Sequence, residues 1–177
     1  MCNKYESKSG WLIDEQGNVI IPSYAHYIPD REFMDNPYVK TVHINGNIEH
    51  IGTEAFAGCI NLESLTFENG CELIEQAAFS SCESLEKVTF PATLKYIGDN
   101  AFQYCKMLHM VEFPESIESI GYLAFDDTAL KTYMHIRGLS YEIIEQLTTK
   151  SGDVQHPEQI AYSAFPMLCD DCLLYTS

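Results

Sequence analysis

A period of 23 residues constrains this chain more than any other feature of it. Phe56, Phe79, Phe102 and Phe125 recur at that step, each preceded by an alanine (Ala55, Ala78, Ala101, Ala124). Ile51, Ile74, Ile97 and Ile120 keep it, and so do Cys59, Cys82 and Cys105. Leu62, Leu85 and Leu108 follow the same step, as do Leu65, Val88 and Val111, and Phe67, Phe90 and Phe113. A fixed period across seven columns is the signature of a solenoid, in which each repeat stacks on its neighbours.

Within the unit, Leu85, Val88 and Phe90 carry a short strand. Val88 and Phe90 stand two apart and point inward, while Lys87 and Thr89 point out. Pro91 and Pro114 follow the strand, where a missing N–H ends ladder pairing. The second half, IGDNAFQYC, places Ile97, Ala101 and Phe102 at spacings that predict one helical or 3₁₀ turn folded back over the strand. A lone unit buries too little apolar surface to offset its ordering entropy, so only stacking makes it stable.

The stretches IGTEAFAGCINLESLTF, CESLEKVTFPATLKYIGDNAFQYC and LHMVEFPESIESIGYLAF resemble the BspA-like (type 5) leucine-rich repeats. The resemblance runs over about residues 19–136 and rests on several columns. It implies an α/β-type repeat solenoid: a right-handed leucine-rich-repeat superhelix with a parallel strand ladder on one face and short helical or 3₁₀ turns on the other. It also implies a recognition role, because members of that family are associated with adhesion, protein binding and bacterial surfaces. It transfers no catalytic residue, since the repeat motif contains none.

The net charge is −16, from 10 basic and 26 acidic residues. Phosphate-backbone binding needs a basic patch, so nucleic acid is not an expected partner. No stretch of about 18 apolar residues is present to form a membrane-spanning helix. The N-terminus, MCNKYESKSGWLIDEQGNVIIP, has no apolar segment behind its lysines and does not read as a signal peptide. The expectation is a cytosolic chain as written, or a surface or secreted one with a leader upstream.

Taken in order, residues 1–171 are expected to form one solenoid domain. Residues 1–38 read as an N-terminal cap and a degenerate repeat, residues 39–136 as regular repeats, and residues 137–171 as a helical insertion with a truncated repeat. Trp11, Ile13, Val19 and Ile21 alternate around DEQGN, a hairpin pattern, and Trp11 is expected to cover the open end of the stack. Val39, Val42 and Ile44 open the next unit. After Phe125 the register slips, and keeping the 23-residue step puts Met134 and Ile136 inward with Tyr133 and His135 outward. Ser140 is placed to cap a helix ending near Lys150, with Ile143, Ile144 and Leu147 on one face. Ile160 to Phe165 then repeats the pattern of Ile120 to Phe125, which reads as a repeat resuming after a helical insertion or, alternatively, as a helical C-terminal cap that contains a similar hexamer. Residues 172–177, CLLYTS, match the translation of a transposase adaptor end used in shotgun sequencing, and are expected to be non-native.

Cysteines 59, 82 and 105 occupy one column at about 4.8 Å per step, within disulfide range. The in-register stack gives parallel Cβ vectors, so buried, reduced thiols are expected. Cys169-Asp-Asp-Cys172 could be a redox pair or half a zinc site, but no second cysteine pair completes four ligands. His43 and His135 share a column yet stand roughly 19 Å apart at that rise. His135 and Glu112 would be cross-strand neighbours. No phosphate loop, nucleophile elbow, zincin or EF-hand pattern occurs, so no catalytic, cofactor or metal residue is assigned.

The expected function is non-catalytic recognition of a protein or glycan through the strand face. Its contact patch is placed at His109, Met110, Glu112, Tyr133 and His135, where the outward columns turn from small and polar to large. A sheet face covered by the helix of residues 141–150 accounts for the same apolar side chains. Two other readings stand beside recognition: a spacer segment of a longer array, and the recognition part of an enzyme or effector whose catalytic domain lies elsewhere.

Overall fold

The computed structural model describes residues 6–130. It opens with an antiparallel hairpin, β1 (Leu12–Ile13) and β2 (Val19–Ile20), in which Leu12 faces Ile20 and Ile13 faces Val19. Asp14 closes the turn: its carboxylate accepts from the Gln16 and Asn18 main-chain N–H groups at 2.9 and 2.8 Å. From there the chain coils: the first coil contributes a strand to one parallel ladder, and each later coil contributes one strand to each of two.

The first ladder is β4 (Thr41–Ile44), β6 (Ser64–Phe67), β8 (Lys87–Thr89) and β10 (Met110–Glu112). Its register follows the sequence period, with Val42 opposite Leu65, Leu65 opposite Val88 and Val88 opposite Val111. These four side chains are buried, as are the leucines before them and Ile44 and Phe90 after them. The hairpin joins at the same phase, through a parallel bridge between Asn18 and Thr41. The first repeat is thus degenerate in sequence and joins the ladder in phase by a single bridge.

The second ladder is where the structure departs from the expected helical or 3₁₀ turn. The strands β3 (Tyr27–Ile28), β5 (His50–Ile51), β7 (Leu73–Ile74), β9 (Tyr96–Ile97) and β11 (Ser119–Ile120) pair in parallel, so the isoleucine column is a strand column. No α-helix or 3₁₀ element of a full turn forms among the described residues. The helix-like spacing of Ile97, Ala101 and Phe102 comes from two left-handed residues per coil. Arg31, Glu54, Ala77, Asn100 and Leu123 form one such column, at φ between 51° and 62° with the second column of Asp35, Ser81, Tyr104 and Asp127. Gly58 takes the remaining place of that second column, at φ 72°. Each kink turns the main chain so that its N–H reaches the next coil: Phe56 donates to Ala78, Phe79 to Ala101 and Phe102 to Ala124, at 2.7–2.8 Å. Inter-coil hydrogen bonding therefore continues where helical bonding would have closed each turn on itself.

The alanines before the phenylalanines are fully buried, Ala55, Ala78 and Ala101 beneath the next coil. The phenylalanines make one continuous stack: ring centroids from Phe33 through Phe56, Phe79 and Phe102 to Phe125 lie 5.0–5.3 Å apart, with neighbouring planes within 11°. Rings at this separation are forced into register by the coil rise, and the adjoining Phe90 and Phe113 meet the stack edge-on at 5.6 and 5.5 Å, the geometry aromatic quadrupoles favour. Trp11 closes the N-terminal end, edge-on to Phe33 at 6.2 Å and only 8% exposed.

The thiols of Cys59, Cys82 and Cys105 are free and fully buried. A fourth buried free thiol, Cys71, belongs to the column of Ile48, Leu94 and Ile117. The expected helix at residues 140–150, the resumed repeat at residue 160, the Cys169–Cys172 pair, the tail and the register of residues 131–136 lie outside the described residues.

Candidate functional site

Alternation in a strand separates two jobs. In the first ladder the inward columns are uniformly apolar, while the outward ones vary from coil to coil: Thr41, Ser64, Lys87, Met110, and beside them His43, Thr66, Thr89, Glu112. In-register stacking lines each column up as a continuous surface row.

Polar cross-strand pairs tie parts of this face together. The Nδ1 atom of His43 lies 2.9 Å from Thr66 Oγ1, and its Nε2 lies 3.3 Å from Glu68 Oε1. The Gly46 N–H donates to Glu68 at 2.9 Å; this bond and then the His43 contact hold the Glu68 carboxyl below its ordinary range. At the other end, Lys87 Nζ stands 3.0 Å from Glu112 Oε1, and Thr89 Oγ1 donates to Glu112 Oε2 at 3.2 Å.

The expected contact residues fall as follows. Met110 and Glu112 lie on β10, and His109 directly precedes it, its Nδ1 3.0 Å from the Met107 carbonyl oxygen. Met110 is half-buried beside Lys87, while Glu112 is exposed and engaged by Lys87 and Thr89. These three are brought together. Tyr133 and His135 lie outside the described residues.

Two features escaped the sequence reading. One is a shallow depression of about 550 Å³ between β6 and β8, reached by Ser64, Thr66, Asn69, Lys87 and Thr89, with Phe67 and Phe90 beneath. The sequence did hold a signal for it, because Glu63 and Glu86 are like charges stacked in one column at this step. The other is on the second ladder, where the exposed Tyr27 ring stacks on His50 at 5.1 Å and 7°. Among the described residues no cluster of three metal-ligating side chains occurs, and no helix is long and apolar enough to cross a membrane.

The family model of the BspA type leucine rich repeat region matches residues 26–147 in 6 copies. No curated protein sequence matches the chain. Among solved structures, the T. pallidum leucine rich repeat protein is similar, with TM-score 0.61 and 28% identity over 66% of this chain and 57% of that one. The pneumococcal vaccine antigen PcpA gives TM-score 0.51 and 21% identity over 67% of this chain and 40% of its own. A leucine-rich repeat protein from Bacteroides ovatus gives 0.51 and 24% over 62% and 34%. The latter two likenesses are of fold alone. This chain spans between 34% and 57% of the length of these three proteins.

Proposed function

The chain belongs to the BspA type leucine-rich repeat family, and on that premise we propose that it is a non-catalytic recognition module, binding a protein or glycan through the outer face of the β4–β6–β8–β10 ladder. The observation that carries this reading is the division of labour across that ladder. Val42, Leu65, Val88 and Val111 are nearly interchangeable and buried, whereas the outward residues beside them share neither size nor charge. Packing fixes the first set and leaves the second free to match a partner. Met110, half-buried next to the Lys87–Glu112 pair, gives the face an apolar centre with a polar surround, the pattern in which interface energy concentrates. His109 stands at its rim, and Tyr133 and His135 are the proposed continuation of the patch.

The test is selection of ligands on the purified chain from a displayed peptide library and an oligosaccharide array, followed by variants. Ligands lost on Met110→Ser and on Lys87→Glu, but kept on Tyr96→Ser of the second ladder, support the strand face. Ligands that bind Met110→Ser as well as wild type, while that variant melts several degrees lower, make Met110 a packing residue and overturn the proposed patch.

A further inference from the structure

One rung of the first ladder is missing. At each of the other steps a carbonyl receives two main-chain N–H groups from the next coil. Gly17 accepts from Lys40 and Thr41 at 2.8 and 3.1 Å, Lys40 from Glu63 and Ser64 at 2.9 and 3.2 Å, and Glu86 from His109 and Met110 at 3.1 and 3.4 Å. Among the described residues no such bonds run from Glu86 and Lys87 to Glu63, and β6 meets β8 at the single pair Leu65–Val88. The column at this step stacks Lys40, Glu63, Glu86 and His109, so the open rung is the one flanked by two carboxylates, whose repulsion opposes closure. At the far end of β6 the Phe67 carbonyl faces the position of Pro91, which has no N–H to give. The depression lies over this gap.

We propose that the open rung between β6 and β8 is a saccharide subsite, an inference that rests on the strand-face recognition reading and names its ligand class. A gap bounded by N–H groups on one side and a C=O on the other takes a group that both accepts and donates, and a hydroxyl does this through a single atom. A sugar hydroxyl makes both kinds of bond at once, as a bridging water does. Around the gap, Ser64, Thr66 and Thr89 offer further hydroxyls, the Glu63 and Glu86 carboxylates accept from neighbouring sugar O–H groups, and Phe67 supplies an apolar surface for C–H faces. Lys87 does not close the space, because Glu112 holds its ammonium toward β10 at 3.0 Å. The depression, of about 550 Å³, is open to solvent on one side, so it takes one face of a sugar rather than enclosing it. A peptide strand needs a row of unpaired main-chain groups along an edge, and β6 and β8 remain paired at their centre. The two carboxylates select neutral or amino sugars over uronic acids.

Main-chain amide NMR of the labelled chain, titrated with manno-, cello- and chitosan oligosaccharides and with oligogalacturonate, tests the subsite. Neutral or amino probes should shift the amides of Glu86, Lys87 and Thr89, and oligogalacturonate should not. Thr66→Trp, which fills the depression, should weaken binding by about tenfold or more, the equivalent of one or two lost hydrogen bonds. Glu86→Lys should set opposite charges at the step while leaving the Lys40–Glu63 pair intact, close the rung, raise the melting temperature and abolish the shifts. If no saccharide shifts these amides, or if Thr66→Trp binds like wild type, the subsite falls. Peptide ligands that still depend on Met110 would then leave the recognition reading standing. A peptide that shifts the same amides would make the gap a peptide site and overturn the saccharide assignment.

Discussion

The thiol of Cys82 donates to the main-chain carbonyl of Phe56, one coil earlier, across 3.4 Å. The same bond joins Cys59 to Phe33 at 3.1 Å and Cys105 to Phe79 at 3.2 Å. Each of these carbonyls already accepts an N–H from its own turn, so the thiol takes the second lone pair. Cysteine suits the position because it packs as a small hydrophobe and still carries a weak donor.

Cys82→Ser should therefore destabilise by only about 1 kcal/mol, the low end of the penalty for a buried hydroxyl, because an acceptor is in place. Urea unfolding measures this directly. A loss above about 3 kcal/mol would mean that the shorter C–O bond fails to reach the carbonyl.

The buried thiols also set an alkaline limit. Burial pushes both Cys59 and Cys71 up to about 12 from an ordinary value of 9.0. Between those values the unfolded chain has lost thiol protons that the folded chain keeps, so the folded state binds more protons and stability falls as pH rises. The thiol contribution is fully present below about pH 9 and is lost progressively toward pH 12. Melting temperatures from pH 7 upward should decline more steeply above pH 9 in the wild type than in a Cys59→Ala, Cys71→Ala double variant. Parallel curves would show that tyrosine and lysine titration, common to both proteins, accounts for the whole decline.

The left-handed columns make adjacent alanines respond oppositely to one substitution. Ala77 holds φ 53° and is half-buried, whereas Ala78 lies fully buried beneath the next coil. A left-handed Cβ costs about 1–2 kcal/mol, and glycine's added unfolded-state freedom costs about 0.4–1 kcal/mol. Ala77→Gly should thus stabilise by roughly 0.5–1 kcal/mol, while Ala78→Gly should destabilise by about 1 kcal/mol or more. Paired thermal melts decide it, and a fall for both variants would refute the relief of strain at Ala77.

Much of this fold was legible because a solenoid writes each contact as a repeated column. Val88 beneath Val111, Phe79 beneath Phe102 and the reduced cysteines all follow from the period and from which residue types are apolar. The second ladder was not legible for a physical reason. Left-handed kinks at Ala77, Asn100 and Leu123 bring Ile97, Ala101 and Phe102 to one face as a helix turn would, and no residue type shared by that column announces them. Of the candidate site, the outward rows on β10 could be read from alternation, but the depression lies where Glu63 meets Glu86. Apolar periodicity says nothing about that column; reading it for charge would have found it.

The N-terminal cap offers the last test. The buried alanine column of Ala55, Ala78, Ala101 and Ala124 begins one step earlier with Glu32, a carboxylate only 2% exposed. Among the described residues a turn at residues 7–10, rather than a coil, covers it. The Ser9 N–H and hydroxyl donate to the carboxylate at 3.0 and 2.7 Å, the Ser7 hydroxyl donates as well, and Lys8 N–H donates to the Glu32 carbonyl at 3.0 Å. Ser7 in turn fixes Trp11, whose N–H donates to its hydroxyl oxygen at 2.8 Å. Glu32→Ala removes a buried charged acceptor, but its donors on half-buried Ser7 and exposed Ser9 can turn to water, so the cost should be about 1.5 kcal/mol, the low end for hydrogen bonds to a charged group. Glu32→Gln keeps one acceptor oxygen and should cost less. Trp11 is the chain's one tryptophan, so its fluorescence reports on the cap alone. Emission should shift to the red and become open to iodide quenching in Glu32→Ala well before global unfolding. Unchanged emission alongside a lowered melting temperature would mean that the β1–β2 hairpin holds Trp11 against Phe33 without help from the carboxylate.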